Sequence, residues 1–314
     1  MNVKDRIKGS LYGIAVGDAL GACWEGWRPK DIARLGAVTD MQDLESSPWA
    51  LGEFTDDTWL TLATARAYDD IVFNPEKAAN SMLVWVKING KGCGRLTASA
   101  LANLSSGRTD LYGSGHKALA SSGSQGAGNG SLMRCASTGL TRKPDEIDDI
   151  IEESTVLSEI THADSRCVAA CVGYNIVLAN IIADNNYHDS LEKAAHIVEP
   201  INEGVSRIFS EVADGARFAW NIDNMHGMGY VNRALDRALV AYADSICLGG
   251  TFEDYILEVV NEGGDCDTNA AIAGGLLGAR FGYSNIPQRW LDVLMWKDEL
   301  DEATDLIMKF RENE

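Results

Sequence analysis

The sequence predicts an all-α fold in one compact multi-helix domain, and three observations carry that expectation. Apolar residues recur at three- and four-residue spacing through most of the 314 residues. Strand signals are weak, because no long alternating run of β-branched residues is bounded by turn residues. Proline is rare, six in all, which suits a helical chain. The hydrophobic share of 46% is that of an ordinary globular protein, and a chain this long can bury a sizeable core. No Pro-rich or Ser-rich linker and no internal repeat divides the chain, so residues 1–314 are expected to form a single domain.

Val3, Ile7, Leu11, Ile14 and Ala15 mark a first helix over about residues 3–20. Trp59, Leu62, Ala63 and Ala67 mark a second, and Pro75 opens a third that carries Leu83, Val84 and Val86. Ile147, Ile150, Ile151 and Leu157 define another, with acids on its outer face. Helical patterns continue over about 164–183, 189–213, 232–247, 252–261 and 269–280, and the tail from Gln288 to Phe310 reads as one or two amphipathic helices. Long loops are expected at about 20–58 and 89–131. The uncharged stretch Cys167–Ala183 is short for a membrane span and carries Asn175 and Asn180, so it reads as a buried core helix. Lys4, Arg6 and Lys8 before an apolar run outline a signal peptide, but Asp18 interrupts the run and no clean cleavage site follows.

Acidic residues number 46 against 27 basic, for a net charge of −19. That balance argues against nucleic-acid and anionic-membrane partners, which need cationic surface. Seven cysteines are spread thinly with no CxxC, so neither a zinc ribbon nor a thioredoxin-like site is indicated and a cytoplasmic location is expected.

Five constellations carry candidate chemistry. Thr55-Asp56-Asp57-Thr58 stands directly before a helix: one acid could serve the N-terminus, but four oxygen donors in four residues also suit a hard cation. Gly264-Asp265-Cys266-Asp267-Thr268 repeats the pattern before a Gly- and Ala-rich helix, with Asp265 and Asp267 able to point one way along extended backbone. If the two clusters meet, their mutual repulsion calls for cations, and a two-metal centre resolves it. Asp18 lies in an otherwise apolar helix, where an unpaired acid is unfavourable, and Glu25 follows as a loop acid or a general acid–base. Gly123 to Ser131 holds four glycines but is neither a Walker A loop nor a dinucleotide fingerprint; its amides suit a phosphate. Gly94 to Thr97 is a weaker version of the same signal, and His162 is a cap or a ligand-positioning residue. His188, His196 and His226 form no motif and read as surface or core residues.

The ordered set Gly17-Asp18-Ala19-Leu20-Gly21 with Glu25, Thr55 to Thr58, Gly94 with Thr97, Gly128 to Ser131 with Arg134, Thr161-His162, and Gly264 to Thr268 resembles the ADP-ribosylglycohydrolase family across nearly the whole chain. The resemblance implies a compact all-α orthogonal bundle and an enzyme cleaving the glycosidic bond at C1 of the distal ribose. Its substrate would be an ADP-ribosylated protein, Arg-linked first and Ser-linked second, or another ADP-ribose conjugate. It also implies two divalent cations, Mg²⁺ or Mn²⁺, held by Thr55, Asp56, Asp57, Asp265, Asp267 and Thr268, with acid–base work from Glu25, Asp56 or Asp57. Gly94, Thr97, Gly126, Gly128, Asn129, Gly130, Ser131 and His162 would contact ADP-ribose, with Trp24, Trp27 and the loop near Tyr112 walling the acceptor side. A monomer is expected. The alternatives are a non-catalytic ADP-ribose-binding relative or a metal hydrolase of another class. Cys266 stands where many members have Thr, and a soft thiol beside hard ligands would invite soft metals or oxidants.

Overall fold

The computed structural model describes residues 1–70, 72–123, 126–218, 220 and 227–312. Ser124, Gln125 and His226 therefore lie outside the described residues. Among the described residues the chain forms sixteen α-helices and no strand. In the first half these are α1 (Val3–Gly21), α2 (Pro29–Leu35), α3 (Asp56–Ala65), α4 (Pro75–Ile88), α5 (Arg95–Ser105), α6 (Leu111–Ser122), α7 (Ala136–Thr141) and α8 (Ile147–Glu159). The second half holds α9 (Ser165–Ile182), α10 (Tyr187–Val198), α11 (Glu203–Ala213), α12 (Val231–Cys247), α13 (Phe252–Asn261), α14 (Cys266–Phe281), α15 (Gln288–Val293) and α16 (Lys297–Glu312).

Local chemistry sets many of these boundaries. Side chains of Asn2, Thr55, Asn74, Asp110, Asp164, Asn186 and Asn202 accept from backbone N–H groups in the first turns of their helices, and Thr251 and Asp254 form a capping box. Two sequence expectations need correction. The pattern over 189–213 is two helices, because Pro200 breaks the first and Asn202 caps the second through the Val205 N–H at 3.1 Å. The stretches expected as long loops contain α2, α5 and α6; α5 buries Thr97, Ala100 and Leu101 on one face, a helical spacing masked in the sequence by the glycines around it.

Helix α9 is the core expected from its composition. It is long and apolar enough to cross a membrane by length and hydropathy, but 89% of it is buried inside the protein. It packs against α7, α8, α10, α12 and α14, which is why it is apolar all round.

The most extensive helix–helix contact is α1 against α14. Gly9, Gly13, Gly17 and Gly21 form a ridge without side chains along α1. A Cβ at Gly13 would sit 2.2 Å from the Gly274 carbonyl oxygen, one at Gly17 2.2 Å from that of Ala270, and one at Gly21 2.3 Å from the Asp267 Cα. The two backbones therefore touch in antiparallel register. That contact lays the end of α1, with Asp18, beside the start of α14, with Asp267.

Candidate active site

The site is built upward from Asp18. Its side chain is fully buried inside α1 and accepts from the N–H of Thr55 (2.9 and 3.0 Å), the N–H of Thr58 (3.0 Å) and the Thr58 hydroxyl (2.6 Å). An acid that is unfavourable in an apolar helix is thus fully partnered by the first turn of α3. Burial pushes its carboxyl up to about 6, and the bonds from Thr58 and Thr55 pull the other way.

With α3 pinned, Thr55 caps it and donates its hydroxyl to Asp57 Oδ2 at 3.0 Å. The Thr268 hydroxyl, on the first turn of α14, donates to the same oxygen at 3.4 Å. Two clusters more than two hundred positions apart thereby meet at one atom. Asp57 Oδ1 and Asp267 Oδ1 are buried and accept no hydrogen bond from the described residues. Burial first, and repulsion from neighbouring carboxylates second, lift both groups well above the usual carboxylate range. Burial and the charge of Asp18 lift Asp56 to about 7.

Asp265 is the residue before α14 and is not extended (φ −88°, ψ 55°), while Asp267 lies inside the helix. The expected extended pair is therefore a helix-start pair, and the carboxylates converge because the helix turns. Gly26 N–H donates to the Gly264 carbonyl and Gly264 N–H to the Trp27 carbonyl, both at 2.7 Å, which ties the segment after α1 to this turn. Glu25 consequently reaches the cluster, and ligand-type oxygens of Glu25, Asp265 and Asp267 lie within 4.8 Å of one another. Burial, then Asp265, raises the Glu25 carboxyl.

These groups line a cavity of about 740 Å³. Glu25, Thr55, Asp56, Asp57, Asp265, Asp267 and Thr268 give the lining its acidic part, and Gly94, Thr97, Gly128, Asn129, Gly130 and His162 also line it. Asn129 also reaches across, its amide donating to Asp265 Oδ2 at 2.7 Å. Gly126 and Ser131 do not line the cavity: a Cβ at Gly126 would strike Leu119, and the Ser131 hydroxyl is buried and accepts from Ser158 at 3.0 Å. The expected acceptor-side wall is different too. Trp24 is buried against Trp27, Tyr112 is exposed on α6, and none of the three lines the cavity; Trp49, Arg95 and Met228 do. Trp49 and Met228 stand in no motif, so only the chain's three-dimensional path reveals them, whereas Arg95 belongs to the Gly94–Thr97 segment. Cys266 also departs from expectation, since its buried thiol faces the Gly21 carbonyl, is pushed up by burial and does not line the cavity. His188 and His196 are exposed and lie on α10, away from the cavity.

Glu25, Asp265 and Asp267 bring ligand-type oxygens close enough together to hold a metal ion, and Asp57 Oδ1 and Asp267 Oδ1 are buried with no donor among the described residues. Fold and site together define a helical protein with an acidic centre in a cavity also lined by glycines. The chain belongs to the ADP-ribosylglycohydrolase family, whose profile matches residues 1–314. It is 29% identical over 310 residues to the ADP-ribosylarginine hydrolase Tri1 of Pseudomonas putida (strain GB-1), covering 95% of this chain and 76% of that protein. It is 27% identical to the ADP-ribosyl-[dinitrogen reductase] glycohydrolase of Rhodospirillum rubrum, covering 95% and 93%. A solved structure titled ADP-ribosylglycohydrolase-related protein complex superposes with a TM-score of 0.76 at 26% identity, over 99% of both chains. The chain is thus an enzyme of the ADP-ribosyl glycohydrolase class.

Proposed function

We propose that this enzyme removes ADP-ribose from a modified arginine of a protein and depends on two divalent cations, Mg²⁺ or Mn²⁺. The observation that carries the reading is the meeting of Thr55–Asp57 with Asp265–Thr268 at Asp57 Oδ2, with two buried oxygens that have no donor among the described residues. Thr55, Asp56, Asp57, Asp265, Asp267 and Thr268 would hold the cations, with Asp18 fixing one half of the set and Asn129 the other. When bound, the cations supply positive charge and Lewis acidity at the ribose hydroxyls and a water.

The chain's own groups do the remainder. Glu25 is the most open carboxylate of the wall and accepts no hydrogen bond from the described residues, so it is the group placed to move a proton between the attacking water and the leaving nitrogen. As the C1–N bond lengthens, positive charge grows on the ribose, and the acidic wall favours it. Amides around Gly128 and Gly130 would hold the diphosphate, so that binding far from C1 orients C1. The relatives named for arginine-linked or dinitrogen-reductase substrates favour arginine over serine as acceptor. Seven free cysteines suit a reducing cytoplasm.

Asp56→Asn and Asp267→Asn, assayed for ADP-ribose release with Mg²⁺ or Mn²⁺, are expected to lose roughly a hundredfold or more in activity. Full activity in both would rule out the cation reading. Glu25→Gln is expected to lose turnover. Arg-linked, Ser-linked and polymeric ADP-ribose offered side by side would decide the acceptor.

A further inference from the structure

His162 lines the cavity, and the proposed function leaves unexplained how it is held. Three buried residues answer that. Arg134 is fully buried, and no carboxylate pairs with it among the described residues. Its Nη2 donates to the Leu157 carbonyl at 3.0 Å and to the Thr161 hydroxyl at 2.7 Å. That hydroxyl oxygen lies 2.8 Å from His162 Nδ1. The direction of the second bond follows by counting protons. Arginine can only donate, so Thr161 Oγ1 accepts from it and keeps its own proton to place. No other acceptor stands beside this buried hydroxyl among the described residues, and a buried hydroxyl proton left without one is unfavourable. Thr161 therefore donates to Nδ1, and the single proton of a neutral imidazole must sit on Nε2.

The Nε2 edge faces the ligand wall. Cβ atoms built at Gly128 and Gly130 would lie 3.4 and 3.1 Å from Nε2, and the second would be 3.4 Å from the Thr97 hydroxyl. Nε2 has no partner among the described residues. The backbone of His162 is held by Ser158, whose hydroxyl lies 2.9 Å from the His162 carbonyl.

We propose that Arg134 is a positioning residue which, through the Thr161 hydroxyl, locks His162 as the Nε2–H tautomer, so that the ring offers one neutral donor to an oxygen of the bound ADP-ribosyl group beside Gly128 and Gly130. This rests on the functional reading above for the identity of the ligand, but not for the tautomer. It also gives a role to a cation buried without a carboxylate partner among the described residues. At the far end of the hydrogen-bonded series, Arg134 directs the Thr161 proton toward the ring. Burial, and then the charge of Arg134, keep His162 unprotonated by holding it down at about 3. Gly128 and Gly130 are then required because any side chain there would stand between Nε2 and the ligand.

The test uses the full chain labelled with ¹⁵N-histidine. Long-range ¹H–¹⁵N correlation should show His162 with a pyridine-type Nδ1 and a pyrrole-type Nε2 at neutral pH. Thr161→Val should lose that tautomer preference and weaken ADP-ribose binding by calorimetry roughly fivefold to tenfold, the loss of about one hydrogen bond. Thr161→Ser should restore both. An Nδ1–H tautomer in the wild type, or Thr161→Val with tautomer and affinity unchanged, would overturn the relay. A wild type that shows the Nε2–H tautomer and binds no ADP-ribose would overturn the proposed donor role and the functional reading together, while leaving the Arg134–Thr161 lock standing. Arg134→Met is the direct variant, and should it fail to fold, the Thr161 pair decides.

Discussion

Asp18 shows what one residue contributes to this site without touching a ligand. Its carboxylate collects the first-turn donors of α3 and thereby fixes where Thr55, Asp56 and Asp57 stand. Asp18→Asn would turn an amide N–H toward donors that need an acceptor. We expect it to destabilise the fold by about 1–3 kcal/mol, seen as a lower urea midpoint, and to reduce cation affinity about tenfold to a hundredfold. Unchanged cation binding in a folded Asp18→Asn protein would show that α3 is held by other means. From the sequence, Asp18 was recognisable as an acid in need of a partner; the partner was not, because the bond spans 37 positions.

At the scale of elements, the decisive contact is the glycine ridge of α1 on α14. A methyl group at Gly13 would have to displace backbone, which cannot rotate away as a side chain can. Gly13→Ala is expected to destabilise by about 1–3 kcal/mol or more and to lower activity as well, because the register of α1 on α14 sets the approach of Glu25 to Asp267. A thermal melt and a turnover assay on the same sample check both; a Gly13→Ala chain with a wild-type melt would mean the helices can separate freely. The helix opened by Pro75 and those over 164–183 and 252–261 were legible, because Pro75 marks a first turn and the other two show their apolar spacing. Those inside the supposed loops were not, because α5 and α6 carry their apolar faces among glycines and serines that locally favour irregular backbone.

For the whole molecule, the acidic wall makes stability depend on protons and cations together. Without metal, Asp56 takes up its proton at about pH 7 when folded but at about 3.9 when unfolded, and Asp57 and Asp267 are shifted the same way. The folded chain therefore binds more protons than the unfolded one across this window, so metal-free stability falls as pH rises from about 6.5 to about 8. His162 acts in the opposite sense, but only below about pH 6.5, where the unfolded imidazole charges first. The midpoint in chelator should drop between these two pH values, and Mg²⁺ should raise it more at the higher one. Equal midpoints at both in chelator would show that burial and mutual repulsion do not raise these carboxylates in the folded chain.

The sequence by itself determined the helical class, many helix starts, the residue types able to bind hard cations, and the family. Those properties depend on short-range spacing and side-chain chemistry, which the linear chain displays. Only the tertiary structure decided that Glu25 joins Asp265 and Asp267, that Asn129 supports an acid as well as lining the ligand wall, that Gly126, Ser131 and Cys266 face away from the cavity, and that Arg134 reaches His162 through Thr161. Each of these depends on how far two backbones can approach and which way a side chain must turn once they have. Those distances are set by packing between segments far apart in the chain, and no local pattern encodes them.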